Sequence, residues 1–415
     1  MYLRFVALLS LLVSSAAVAQ PAPFFLHDGD TVVFYGDSIT EQRLYTVYIE
    51  TAVRTQHPAW HIRFYNAGVG GDRVSGGGAG PIDTRLNRDV IARHPTVVVI
   101  MLGMNDRATS ETRAAYAPGY EHILTRLANE IHGVRLSLIA PSPFDQITRP
   151  GDRGNDPLVE FTALDKSLAA KYHANFVDLN TPLVAAIIRA NRINPTAAKL
   201  ALTDRVHPTA GFHWLMAETI LRGWNMPEAA AQVTLDARAG TIVEQVGSSV
   251  RDLHVERNKV LWSETDNPDT TIFDAIDGNE ALFSILTEAP HLGQRILSVN
   301  NLAAGDYSLE IDGKPYTTHY AAAQLATGID LSMLPTPMHS QGRNVFYACS
   351  DSDALQISRI RAIARIKELP ANTPLAEGTR FLDDVIDAAE HRIATASTPT
   401  SHSFSLQLLS KTSEK

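Results

Sequence analysis

The chain has a single cysteine, Cys349, in 415 residues. That excludes an intramolecular disulfide, a thiolate zinc site and an iron–sulfur cluster built from this chain, and casts the thiol as a small buried hydrophobe. Basic charge is also in deficit: 36 Lys and Arg stand against 45 Asp and Glu, for a net charge of −9. No nucleic-acid partner is expected, because phosphate binding calls for a basic face. Neither G-x-G-x-x-G nor G-x-x-x-x-G-K-[ST] occurs, so dinucleotide and P-loop readings fail. No cluster of His and carboxylates has a metal-ligand spacing, and no cofactor is called for. Beyond the N-terminus no apolar run approaches the roughly 18 residues of a membrane span.

What remains is an ordinary, mildly acidic globular composition, 45% hydrophobic and 20% charged, long enough for two or three domains. Residues 1–19 read as a secretory signal: Arg4 precedes the apolar run FVALLSLLV, and Ala17-Val18-Ala19 forms a cleavage pattern before Gln20. Export is therefore expected, to the periplasm or the medium, with stability achieved without disulfides. From residue 31 to about 225, β-branched runs at 31–36, 61–67, 96–102, 134–140 and 174–179 alternate with helical periodicity near 42–56, 82–94, 117–132, 157–173 and 209–223. This pattern predicts a doubly wound, flavodoxin-like α/β domain over 24–229 with five parallel strands, whose ligands bind beyond the strands' carboxyl ends. Short alternating runs then suggest a small antiparallel β unit over 230–320, with hairpin punctuation at Leu302–Asp306 and at Asp312-Gly313. Helical periodicity covers 339–368 and 376–394 within a segment spanning 321–395, interrupted at Pro370 and Pro374. In the Ser/Thr-rich tail, 396–415, the alternation from Ser403 to Leu409 suggests a returning strand.

Four short motifs carry the chemistry. GDSITEQ (Gly36 to Gln42) places Ser38 between a buried strand and a helix, where it could aim a hydroxyl at the ligand face or simply cap the helix. NAGVGGDRV (Asn66 to Val74) follows the second strand with glycines that let backbone N–H groups approach a bound group. GMND (Gly103 to Asp106) puts Asn105 at the end of the third, and a neutral amide donor suits a developing oxyanion. In TDRVHPTAGFHW (Thr203 to Trp214), Asp204 and His207 stand three residues apart, a spacing at which a carboxylate can hold imidazole Nδ1–H and leave Nε2 as a base. His213 reads as a surface or core residue, and Asp37 and Asp106 as loop-bonding groups.

Together these blocks resemble the SGNH/GDSL hydrolase family over residues 31–223, with GDSI in place of GDSL. The resemblance implies an acyl-enzyme esterase in which Ser38 is the nucleophile and Asp204 and His207 complete the triad. It also implies an oxyanion hole formed by Ser38, Gly71 and Asn105. The α/β-hydrolase nucleophile elbow, G-x-S-x-G, is absent. The expected activity is hydrolysis of carboxylic esters, small or polymer-linked, leaning to carbohydrate O-acyl esters. That lean comes from the long polar loop Ala140–Pro157 leaving the fourth strand. A lipase or lysophospholipase, or a binding protein on the same scaffold, are the alternatives. The sequence says nothing about oligomeric state.

Overall fold

The computed structural model describes residues 23–270, 291–365 and 375–409. The expected signal segment, the expected interruption at Pro370 and Pro374 and the end of the tail lie outside the described residues. Strands β1 (Thr31–Gly36), β2 (Arg63–Asn66), β3 (Val97–Met101), β4 (Arg135–Ile139) and β5 (Asn175–Val177) form a parallel sheet in the order β2-β1-β3-β4-β5. Each lies within its expected run. Val32 to Tyr35 and all of β3 are buried, as befits β-branched and aromatic strands covered on both faces. The order reverses between β1 and β3, so a crevice opens beyond their carboxyl ends.

The covering helices are α1 (Ser38–Glu41), α2 (Leu44–Gln56), α3 (Ser110–Glu130), α4 (Asp156–Lys171), α5 (Asn180–Ile193) and α6 (Ala210–Gly223). Helix α3 starts well before the expected residue 117, because Thr109 and Thr112 cap it reciprocally. The expected helix over 82–94 changes pitch, from α at Ile82–Arg85 through π at Leu86–Val90 to a 3-10 turn at Ile91–Arg93. Helix α5 had no counterpart in the sequence reading.

The C-terminal region departs from the expected small antiparallel unit. It holds β6 (Ala229–Asp236), β7 (Thr241–Val246), β8 (Ser248–Glu256), β9 (Lys259–Asp266), β10 (Gln294–Asn300), β11 (Asp306–Ile311), β12 (Lys314–Ala321), β13 (Ile329–Asp330) and β14 (Thr400–Leu408). These build two sheets, β8-β9-β14-β11-β12 and β13-β10-β6-β7, that share a second apolar core around Trp262, Leu309 and Phe404. Strands β6 and β10 pair in parallel, which alternation cannot foretell, since it fixes the face of a strand and not its neighbour's direction. The turn at Asp312-Gly313 does join a hairpin, whereas Leu302–Asp306 connects strands of different sheets. The returning strand β14 inserts between β9 and β11.

Helices α7 (Pro337–Arg365) and α8 (Leu375–Ser397) pack on each other, and both lie against α2. Val345, Phe346, Cys349, Ile360 and Ile393 join the same apolar core as β1 and β3. Buried polar seams accompany them. Thr46 Oγ1 donates to Asp353 Oδ2 at 2.7 Å, and Arg54 pairs with Glu390 at 2.5 Å. Gln356 takes the place of a neighbouring strand at the edge of β2, donating to Phe64 O (3.1 Å) and accepting from Asn66 N–H (2.7 Å).

Candidate active site

The chain turns sharply after β1. A Cβ on Gly36 would stand 2.1 Å from Thr40 Oγ1 and 2.8 Å from the Met101 carbonyl, so only glycine fits. Asp37 caps α1 by accepting the Ile39 N–H at 3.0 Å. The capping role is thus filled by the neighbouring residue, and the Ser38 hydroxyl is left to His207, whose Nε2 lies 2.9 Å from Ser38 Oγ.

Asp204 folds its own loop. Its Oδ1 accepts the N–H groups of Val206 (3.0 Å) and His207 (2.7 Å), while Oδ2 meets His207 Nδ1 at 2.6 Å. Burial pushes this carboxyl up, but the hydrogen bonds from the His207 ring and the two backbone groups outweigh it and hold the pKa down at about 2. An ionised carboxylate only accepts, so Nδ1 carries the imidazole proton and Nε2 is free to accept from Ser38.

That loop is braced by a segment expected to do something else. In Ala140–Pro157 the stretch Pro141–Asp145 is buried, and the loop does not line the cleft at Ser38. Instead Arg149 donates to the carbonyls of Leu202 (2.6 Å), Thr203 (2.9 Å) and Lys199 (3.2 Å), and Asp145 N–H bonds Arg205 O at 2.9 Å. Polar composition in this loop reflects bonding to the turn before Asp204, not a rim for sugar.

The glycine loop after β2 is equally constrained. A Cβ at Gly68 would meet the Glu41 backbone nitrogen at 2.3 Å, and one at Gly70 would stand 3.8 Å from Ser38 Cβ. Gly71 has φ of +80°, a left-handed conformation natural to glycine. Among the described residues its N–H has no acceptor. Asn105 Nδ2 donates to the Asp72 carbonyl at 3.0 Å, Arg73 Nε returns a bond to Asn105 O at 3.3 Å, and Asp106 Oδ1 accepts Val74 N–H at 3.2 Å. The Gly70–Val74 segment therefore links the turn holding Ser38 to the one holding Asn105.

Beneath the loop lies Arg85, fully buried, which bonds Asp72 Oδ2 (2.8 Å) and Ala67 O (2.6 Å), pairs with Asp89 and stacks on Tyr35. The sequence reading missed it; its only trace is an arginine in a helix that must face the core. Burial pushes the neighbouring carboxyls up, Asp37 to about 7 and Asp106 to about 6. His213 is buried, stacks on Tyr45, approaches Gln42 Oε1 at 3.3 Å and takes no part in the Ser38–His207–Asp204 chain.

The cleft at Ser38 and His207 has a volume of about 610 Å³ and is lined by Glu41, Gln42 and Arg43 on one side and by Ala354, Ile357, Ser358 and Arg361 of α7 on the other. No group of His, Cys and carboxylates among the described residues could hold a metal, and no described helix is long and apolar enough to cross a membrane.

Residues 34–215 match the GDSL-like lipase/acylhydrolase family. An acetylxylan esterase of Geobacillus stearothermophilus is 26% identical over 216 residues, 47% of this chain and 93% of that protein. The solved structure of a gut microbial diltiazem-metabolizing enzyme superposes with a TM-score of 0.77 at 20% identity, covering 92% of this chain and 98% of that one. The fold, C-terminal region included, is therefore shared with a known structure. A solved acetylxylan esterase from Geobacillus stearothermophilus, 23% identical, covers 49% of this chain and 97% of its own with a TM-score of 0.41. Sheet, crevice and family match together make the chain a carboxylic ester hydrolase. Over residues 34–215 that hydrolase is similar to the GDSL-like lipase/acylhydrolase family.

Proposed function

We propose that the protein is an exported serine esterase acting on O-acylated carbohydrates, with Ser38, His207 and Asp204 as its triad. The observation that carries this reading is the hydrogen-bonded chain from Ser38 Oγ through His207 to Asp204, with 2.9 and 2.6 Å links. As Ser38 Oγ attacks the ester carbonyl carbon, its proton passes to His207 Nε2, and Asp204 stabilises the imidazolium that results. The carbonyl oxygen becomes an oxyanion, held by the N–H groups of Ser38 and Gly71 and by Asn105 Nδ2. Collapse breaks the bond to the alkoxy oxygen, which leaves as alcohol with the proton from His207. Water, deprotonated by His207 in turn, attacks the acyl-enzyme and releases the acid, restoring Ser38.

The carbohydrate part of the reading is supported by the relationship to an acetylxylan esterase, and export by the N-terminal segment 1–19. Turnover of 4-nitrophenyl acetate and of an O-acetylated xylo-oligosaccharide tests both substrate and nucleophile. The wild type is expected to deacetylate the oligosaccharide with a higher kcat/KM than it shows for a long-chain acyl ester, and Ser38→Ala to hydrolyse neither. Wild-type rates in Ser38→Ala, or a preference for the long acyl chain, would overturn the nucleophile or the substrate respectively.

A further inference from the structure

Helix α7 carries two adjacent stripes. Phe346, Cys349, Asp353, Gln356 and Ile360 are buried and bind it to the hydrolase domain. Ala354, Ile357, Ser358 and Arg361, at helical spacings of three, one and three residues, all line the cleft that holds Ser38 and His207. Arg361 goes further. Its Nε donates to Glu41 Oε1 at 2.7 Å, and Glu41 Oε2 accepts the Gly70 N–H at 3.0 Å. A Cβ on Gly70 would stand 3.8 Å from Ser38 Cβ, and Gly71 is the next residue. One carboxylate thus joins the C-terminal helix to the glycine loop beside the nucleophile.

We infer that Arg361 is a positioning residue for ester hydrolysis, acting through Glu41 on the Gly70-Gly71 backbone, so that α7 completes the active site from more than 300 residues away. The inference rests on the reading of Ser38 as nucleophile and Gly71 as an oxyanion donor.

The physical requirement is electrostatic as well as geometric. Glu41 fixes the peptide that leads into Gly71, but its negative charge sits beside the place where an oxyanion develops, and two like charges there oppose each other. The guanidinium of Arg361 offsets that charge and holds the carboxylate on Gly70. Glu41 is mostly shielded, at 16% side-chain exposure, while Arg361 is 59% exposed. Losing the arginine therefore leaves the less solvated partner as the uncompensated charge. Because the oxyanion exists in the transition state and not in the bound ester, the effect belongs in kcat rather than KM.

The test is a double-mutant cycle in the full-length protein with 4-nitrophenyl acetate, read as kcat and KM separately, with thermal melting alongside and Ser38→Ala as reference. Arg361→Gln is expected to lower kcat about tenfold with KM within about twofold. Arg361→Lys, which keeps the charge, should recover most of the loss. In a Glu41→Gln background, where no carboxylate needs offsetting, Arg361→Gln should cost less than about twofold. Equal kcat losses from Arg361→Gln in both backgrounds, or an effect confined to KM, would overturn the inference and make Arg361 a plain wall residue. An Arg361→Gln variant as active as wild type would overturn it too. Ser38→Ala separates the levels: if it is inactive while the cycle shows no coupling, the esterase reading stands and the role of Arg361 falls. If Ser38→Ala is fully active, the reading of Ser38 as nucleophile falls and takes the inference with it.

Discussion

The hydrolase domain and the C-terminal region meet at one cleft, but their residues reach it in different ways. In the first, each candidate group sits within a few residues of a strand end: Ser38 after β1, Gly71 after β2, Asn105 after β3. Asp204 and His207 share one loop whose hydrogen bonds are mostly internal. In the second, everything that touches the site acts across the chain. Arg361 contacts Glu41, and Gln356 and Asp353 hold β2 and α2. Local hydrogen bonds hold the candidate groups, and a distant helix supplies the other wall and the packing behind it.

The largest effect should come from removing the second region. A chain ending at residue 228 loses Val345, Phe346, Ile360 and Ile393 from the shared core, side chains worth about 1.5–3 kcal/mol each when buried. It also leaves the edge of β2 without Gln356, and Arg54 without Glu390. That sum rivals the whole stability of a domain, about 5–15 kcal/mol, so the fragment should be insoluble or melt more than about 10 °C lower. A soluble fragment with an unchanged Tm would show that the two regions are independent.

Next comes a residue inside the first region. Arg85→Ala leaves Asp72 buried without its cation and Asp89 with Arg88 alone and should destabilise by about 3–5 kcal/mol in denaturant unfolding. Activity should fall with it, because Asp72 anchors the glycine loop.

Asn105→Ala should leave the fold intact and reduce kcat by about 10²–10³, or about 2.7–4 kcal/mol. Steady-state kinetics beside a melting curve checks this. A variant with most of the wild-type turnover would remove Asn105 from the site.

The smallest effect is a pH dependence. Burial raises the Asp106 carboxyl to about 6 in the folded protein, above its ordinary value of 3.8. The folded state therefore holds this proton more tightly, and the associated stability is full below about 3.8 and is lost as pH rises through about 6. Asp106→Asn, whose amide oxygen can still accept the Val74 N–H, should gain stability relative to wild type between pH 4 and pH 6, with the difference level above about 7. A pH-independent difference would argue against a raised Asp106.

Legibility in the sequence followed the same division. The five parallel strands were visible because buried parallel strands are continuous apolar runs, and the candidate groups were visible as short motifs at the ends of those runs. The role of Ala140–Pro157 was misjudged because a polar loop looks the same whether it faces solvent or, like Arg149, donates to three carbonyls. Arg361, Glu41 and Arg85 had no local signal, since their meaning lies in partners brought together only by folding. The insertion of β14 between β9 and β11 and the parallel pairing of β6 with β10 were likewise invisible to an alternation that reports one strand at a time.

The most direct test of the central claim, that Ser38 is activated by His207 and Asp204, is intact-mass detection of a fluorophosphonate adduct on folded wild type and on Ser38→Ala. One adduct on the wild type and none on the variant is the expected result. An unlabelled wild type, or an adduct that persists on Ser38→Ala, would contradict it.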